Sequence, residues 1–181
     1  MTNELSFTPP LVLDPCCGSR KFYFDKTASY VLYGDVRDES YVQCDGRILE
    51  VHPDMQMDVT SLPFEDESFA LVVFDPPHLK RAGERSYMRQ SYGVLPEGDP
   101  LAFLQRGFKE CWRVLRQEGT LIFKWNDNQV PLHTVLAVFE QRPLFGNRKP
   151  GGKKGETFWM VFFKHKKNNQ GLRNHHVQHD L

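Results

Sequence analysis

The chain has 181 residues, 40% apolar and 13% aromatic, and its 23 Lys and Arg balance its 23 Asp and Glu. That is the composition of one globular domain with a hydrophobic core, and no run of 18 apolar residues is present to cross a bilayer. The amino end, MTNELSFTPP, has neither the basic start nor the apolar stretch of a secretion signal. Cys16, Cys17, Cys44 and Cys111 form no CxxC spacing, which argues against a disulfide framework and against a zinc site. The expectation is a cytoplasmic protein without a metal, a reducing compartment fitting best.

In chain order, Leu11-Val12-Leu13 reads as a buried strand ending at Asp14, followed by the tight loop Pro15-Cys16-Cys17-Gly18-Ser19-Arg20. Phe22 to Phe24 offers a helix start with little room before the next strand, Tyr30 to Tyr33, beyond which lie Gly34 and Asp35. Arg47 to Val51 is a further extended segment. Asp58 opens a loop through Pro63, and Phe69 to Phe74 is a central strand buried on both faces. Between Leu101 and Leu115 apolar residues recur three or four apart, which predicts a helix capped by Asp99-Pro100. Thr120 to Trp125 reads as a strand and Leu132 to Phe139 as a short amphipathic helix. Thr157 to Phe163 is a strand with Pro143 to Phe145 as its hairpin partner.

Strands alternating with helical segments predict an α/β fold around a mostly parallel sheet with an antiparallel carboxyl-terminal pair. The expected domain spans residues 1–166. Residues 167–181, with His175, His176 and His179, read as a loose polar tail. Ligands of such sheets bind beyond the carboxyl ends of the strands. Asp14, Asp35, Asp58, Asp75 and Asn126 all follow apolar runs and gather on that edge.

Asp75-Pro76-Pro77-His78 follows the central strand directly. A Pro-Pro step has no backbone donor, so this tip presents acceptors only, with a flat ring beside them. Such a mouth suits a planar amino group, and a plain strand-ending turn would account for the prolines equally well. The first loop has neither GxGxxG nor a phosphate-loop pattern. Asp14 there is placed for an ammonium, and Gly18 permits close approach of the backbone. Asp35 stands where α/β folds hold a ribose diol, and Asp58 with the Val59 N–H suits an adenine. An ammonium, a diol and an adenine together describe S-adenosylmethionine. The alternative is that these aspartates simply end strands.

The segment LVLDPCCGS resembles the cofactor motif of class I S-adenosylmethionine-dependent methyltransferases. VVFDPPH resembles the [D/N/S]-P-P-[Y/F/W/H] motif of those that methylate exocyclic amino groups, and MDVTSLPFEDESFALVVFDPPH with FLQRGFKECWRVLRQEGTLIFKW resembles the middle of that fold. The resemblance covers residues 11–163. More narrowly it is to small stand-alone enzymes of bacteriophages and prophages that share the DPCCGSR opening. It implies a Rossmann-like methyltransferase fold and S-adenosylmethionine held by Asp14, Pro15, Cys16, Gly18, Asp35, Asp58, Val59 and Asp75. It also implies an acceptor site of Asp75, Pro76, Pro77 and His78, in a bacterial or phage-infected cytoplasm. Here His78 replaces the usual aromatic, and Phe22 and Phe24 stand where such enzymes often begin a glycine-containing helix.

The implied reaction is direct methyl transfer to adenine N6 in DNA. Cytosine N4, an RNA base, a protein glutamine and a small molecule stay open as acceptors. A nucleic-acid base must leave its stack to reach such a mouth. The long connection 79–100 then reads as a substrate-covering loop, with Lys80, Arg81, Arg85, Tyr87, Arg89 and Tyr92 for phosphates and stacking. Eight Lys or Arg against Glu156 between Arg142 and Lys167 hint at a polyanion, with Arg148, Lys149, Lys153 and Lys154 nearest the phosphates. No separate target-recognition domain fits, so sequence specificity is modest or comes from a partner. Pro15-Cys16 superficially resembles a cytosine C5 nucleophile but follows the wrong strand. An oxidoreductase, argued against by the missing glycine fingerprint, and a silent nucleic-acid or partner-binding module are the competing classes.

Overall fold

The computed structural model describes residues 10–147 and 155–165. Its strands are β1 (Val12–Asp14), β2 (Val31–Asp35), β3 (Glu39–Val42), β4 (Ile48–Val51), β5 (Met55–Gln56), β6 (Phe69–Phe74), β7 (Leu115–Asn126), β8 (Phe145–Gly146) and β9 (Thr157–Phe163). Its helices are α1 (Tyr87–Tyr92), α2 (Pro100–Val114) and α3 (Leu132–Leu136). Seven strands form one sheet in the order β5-β2-β1-β6-β7-β9-β8, while β3 and β4 pair separately as an antiparallel hairpin.

From β5 to β7 every pairing in the main sheet is parallel, and β9 runs antiparallel to both β7 and β8. This is an α/β Rossmann-like arrangement with the expected antiparallel carboxyl-terminal pair. The chain winds outward from β1 through β2 to β5, then returns to lay β6 on the other side of β1. The order therefore reverses between β1 and β6, where open α/β sheets form their ligand crevice. Asp14 ends β1 and Asp75 follows β6, so both stand at that point.

Alternation along the strands builds two cores. Leu13 and Leu32 face the larger one, with Phe74, Leu121, Phe123, Trp125 and Phe162. Helix α2 closes that face with Leu104, Gly107, Phe108, Cys111 and Val114. Asp99 caps it, its carboxylate accepting from the Leu101 and Ala102 N–H groups, and Pro100 enters the first turn where a missing donor costs nothing. Gly107 lets α2 approach β6 closely, since a Cβ there would lie 3.0 Å from the Phe74 ring. Phe108 stacks on Phe139 at 4.1 Å and meets Phe162 edge-on at 5.0 Å.

Val12, Val31 and Tyr33 point to the opposite face, which Cys17, Tyr23 and Ala28 cover. No helix forms there: residues 15–30 run as successive turns, so Phe22 to Phe24 does not start one. Asp25 accepts from the Thr27 N–H and hydroxyl, a local turn that competes with a helix. Aromatic surface replaces it, with Tyr23 edge-on to Tyr33 at 4.8 Å and the Arg20 guanidinium 3.9 Å above the Tyr33 ring.

Other expectations shift in detail. Gly34 and Asp35 belong to β2 rather than to a loop beyond it. The Arg47–Val51 segment pairs with β3, outside the main sheet, across a turn at Asp45-Gly46. β7 begins at Leu115, directly after α2, and its pairing with β6 slips between Phe69 and Leu71 before continuing from Leu71 opposite Thr120. α3 stops at Leu136, and 79–100 carries the short helix α1. No helix among the described residues is long and apolar enough to cross a membrane.

Candidate functional site

Beyond the carboxyl ends of the parallel strands lies a cavity of about 510 Å³, within the range of small-molecule sites. Its lining includes Pro15, Cys16, Gly18, Asp35, Asp58 and Val59 together with Phe22, Asp75, Pro77 and Tyr92.

The first loop is clasped on two sides. Gly18 has φ +51°, a left-handed conformation, and its N–H donates to Asp35 Oδ2 at 2.9 Å. A Cβ at Gly18 would stand 3.0 Å from the Ser91 carbonyl oxygen, so only glycine lets the loop and the 79–100 segment meet. Asp14 lies beneath the loop, fully buried and away from the cavity lining. It accepts from the Cys16 N–H at 3.2 Å and the Tyr23 hydroxyl at 3.0 Å. Burial, then the charge of Asp75, pushes its carboxyl up to about 8 against those two donors.

Asp35 is buried and fully engaged. Its Oδ1 accepts from the Arg37 N–H and Nε, and its Oδ2 from Gly18 and Arg37 Nη2. Arg37 Nη1 also donates to the Gln90 carbonyl at 3.1 Å, tying the end of β2 to α1. Asp58 is exposed, and its Oδ1 accepts from the Thr60 N–H and hydroxyl at 2.8 Å each.

The Asp75 side chain is 7% exposed, and Lys124 Nζ donates to its Oδ2 at 2.6 Å. Burial raises the Asp75 carboxyl, and the charge and hydrogen bond of Lys124 oppose the rise. Lys124 lies on the sheet face opposite Phe123 and Trp125, its ammonium 5.4 Å from the Phe22 ring centroid, 5.1 Å from Tyr92 and 5.8 Å from Trp159.

His78 does not line the cavity. It is buried at 5% exposure, 5.3 Å from Tyr92 and 6.3 Å from Trp125 between ring centroids. Its Nε2 has no hydrogen-bond partner, and burial followed by the Lys124 charge pushes the ring down to about 4. A neutral, inward-turned imidazole replaces the expected stacking platform at the mouth. Pro76 is buried behind Pro77 and is likewise absent from the lining.

Of the basic and aromatic residues in 79–100, Arg89 and Tyr92 line the cavity. Arg89 donates to the Ala82 carbonyl, so part of its donor set is spent within the segment. Lys80, Arg81 and Arg85 are exposed and away from it. The backbone N–H groups of Lys80 and Arg81 are held by Gln129. Tyr87 borders a second cleft and accepts from Lys21 Nζ at 2.8 Å, while Lys21 also reaches Ser91 Oγ at 2.6 Å. Arg148, Lys149, Lys153 and Lys154 lie outside the described residues.

Both loop cysteines are thiols rather than thiolates. Burial raises Cys16 well above its ordinary value and pushes Cys17 up to about 12, which agrees with setting nucleophilic chemistry at Pro15-Cys16 aside.

Sequence reasoning passed over Lys124, Arg37 and Lys21. Lys124 left one signal, a lone charge inside the apolar strand Leu121-Ile122-Phe123-Lys124-Trp125, where an ion needs a partner. Arg37 and Lys21 gave none, because their partners Gln90 and Ser91 lie 53 and 70 residues away.

Comparison with known proteins returns the fold. No family model matches the chain, and no curated protein does. Among solved structures, the PH0226 protein of Pyrococcus horikoshii is similar at a TM-score of 0.54 and 16% identity, over 90% of this chain and 84% of that one. The YcgJ protein of Bacillus subtilis follows at 0.44 and 14%, over 86% and 92%. A protein described as a SAM-dependent methyltransferase from Methanosarcina mazei follows at 0.38 and 15%, over 86% and 73%. The first likeness shows a shared α/β architecture; the other two are too distant to bear on the site.

Proposed function

We propose that this protein transfers a methyl group from S-adenosylmethionine to an exocyclic amino nitrogen of a nucleic-acid base, adenine N6 in DNA foremost. The observation that carries this reading is that Asp75 and Pro77 share one cavity with Gly18, Asp35, Asp58 and Val59, at the crevice between β1 and β6. The residues fit the cofactor. Gly18 opens the loop to close approach, Asp58 Oδ2 accepts no hydrogen bond among the described residues, and Val59 adjoins it.

When bound, S-adenosylmethionine supplies an electrophilic methyl on its sulfonium. Asp58 and Val59 hold the adenine edge. Asp35 takes the ribose diol once the Arg37 fork turns aside, because its oxygens are otherwise filled. Asp14 acts from below, fixing the loop through Cys16 and Tyr23 instead of reaching the ligand.

At the acceptor end the amino nitrogen is a weak nucleophile, its lone pair being delocalised into the ring. Asp75 accepts one of its hydrogens and favours a tetrahedral nitrogen, and it stabilises the charge that develops there until the proton is lost. Phe22 and Tyr92 flank the entering ring. Segment 79–100 covers the pair from above, excluding water and holding the reactants in line.

The test is transfer of labelled methyl to double-stranded DNA, single-stranded DNA, RNA and protein extract, run beside Asp75→Asn. Label on DNA recovered as N6-methyladenine and lost in the variant supports the reading. Label on protein alone, or on a nucleic acid equally well with the variant, overturns it.

A further inference from the structure

We infer that Lys124 is a positioning residue that holds Asp75 as an oriented anion, so that an amino acceptor meets a hydrogen-bond acceptor. The inference rests on the reading of Asp75 given above and deepens it.

The geometry begins with register. β6 and β7 are parallel neighbours with Phe74 opposite Phe123, so the next residues, Asp75 just past the end of β6 and Lys124 within β7, stand side by side. Both side chains are largely buried, at 7% and 14% exposure, and 2.6 Å apart. A buried ion pair is seldom a device for stability, because desolvating two charges offsets their attraction, and apolar replacements are often neutral or better. Its position beside a cavity points to chemistry.

Six other groups bear on Asp75 or its partner. Asp14, at the end of β1, is held in its neutral acid form by burial and by the charge of Asp75. Cys16, on the first loop, is a neutral thiol, and His78, on the same turn as Asp75, is a neutral ring. Tyr92, from the covering segment, faces the Lys124 ammonium with Phe22 and Trp159. Apart from Lys124, burial drives Asp75 toward its acid form. The acid would turn an O–H donor toward an amino hydrogen, a contact between two donors. Lys124 opposes that protonation.

Lys124 also fixes direction. It occupies Oδ2, and Oδ1 accepts no hydrogen bond among the described residues. One oxygen is anchored and the other is left for the substrate. The rings of Phe22, Tyr92 and Trp159 stand 5.1–5.8 Å from the ammonium, and Trp159 is its direct cross-strand neighbour on β9.

The experiment compares wild type, Lys124→Met and Lys124→Arg on three readouts: the pH profile of methyl transfer, calorimetric cofactor binding, and the carboxyl carbon resonance of Asp75 under pH titration. Lys124→Met keeps length and loses charge. Its activity limb and its Asp75 titration should both move at least one unit to higher pH, about a tenfold loss on the rising limb that base restores. Lys124→Arg should retain most of the wild-type limb, and all three proteins should bind cofactor within about threefold. A wild-type profile in Lys124→Met, or equal damage in both variants, overturns the inference and leaves Lys124 a packing residue. If wild type transfers no methyl, the reaction reading fails separately. The Asp75 titration then still decides whether Lys124 holds the anion: an unmoved titration sinks that as well.

Discussion

Asp35 and Asp75 each end a run of strand, are each buried, and each face one basic side chain, yet they are satisfied in different ways. Asp35 accepts four hydrogen bonds, two on each oxygen, from Gly18, the Arg37 backbone and the Arg37 fork. Asp75 accepts one, on Oδ2 from Lys124. A carboxylate with every direction filled serves first as a structural corner, here joining the first loop to β2 and through Arg37 to Gln90, and meets a ligand only when the Arg37 fork turns aside. A carboxylate with an oxygen in reserve can act on a ligand. The number of donors, which position at a strand end does not reveal, separates holding from acting.

The largest expected effect lies at Asp75. Asp75→Asn should lower methyl transfer about 10²- to 10³-fold, the scale of losing one preorganised charge-stabilising group, with cofactor affinity within about threefold by calorimetry. Asp35→Asn should reverse the pattern. Cofactor binding weakens by at least about tenfold, and denaturant unfolding records a loss of roughly 2 kcal/mol as charge-assisted bonds to Gly18 and Arg37 weaken. Equal loss of binding in both variants would erase the distinction.

Gly18→Ala comes next, since it strains the left-handed backbone and drives a methyl toward the Ser91 carbonyl. A destabilisation of about 1–3 kcal/mol is expected, and hydrogen exchange should rise in 79–100 before it rises in β6. Uniform exchange would mean the clasp does not hold that segment.

Two pH effects have opposite signs. The Asp14 carboxyl sits at about 8 in the folded chain against an ordinary value of 3.8. Between those values the folded state keeps a proton that the unfolded state has lost, so stability falls as pH rises through the window. Asp14→Asn has no such proton, so its stability relative to wild type should climb from pH 5 to pH 8, by about 1.4 kcal/mol per unit at most. His78, down at about 4 against 6.5, is the reverse case. Its contribution is present above pH 6.5 and is lost as pH falls toward 4, on the order of 2–3 kcal/mol. His78→Phe should flatten that acid limb and remove the unpartnered Nε2. Parallel unfolding profiles for variant and wild type would contradict either assignment.

Much of the framework was legible because it depends on local pattern. The apolar run before Asp75, the Asp99 cap and the strand Thr157 to Phe163 are each written within a few neighbouring residues, and all three form where predicted. What escaped depends on contacts distant in sequence. Lys124 meets Asp75 across 49 positions, and Arg37 meets Gln90 across 53. Asp14 looks like a ligand-facing carboxylate in the sequence, and only the fold of residues 15–30 over it puts it out of reach of the cavity. His78 reads as a ring at the mouth, and Tyr92 and Trp125 draw it inward. The turns replacing a helix after β1 were also hidden, since Phe22 and Tyr23 suit a helix start as well as an aromatic cover.

The most direct test of the account is a paired measurement on Asp35→Asn and Asp75→Asn: S-adenosylmethionine affinity, and the single-turnover rate of methyl transfer to DNA at saturating cofactor. The account predicts weakened affinity with a largely recovered rate for Asp35→Asn, and unchanged affinity with a rate lower by about 10²-fold or more for Asp75→Asn. Cofactor binding abolished by Asp75→Asn, or a transfer rate indifferent to it, would contradict the division of the cavity into a cofactor end and an acceptor end.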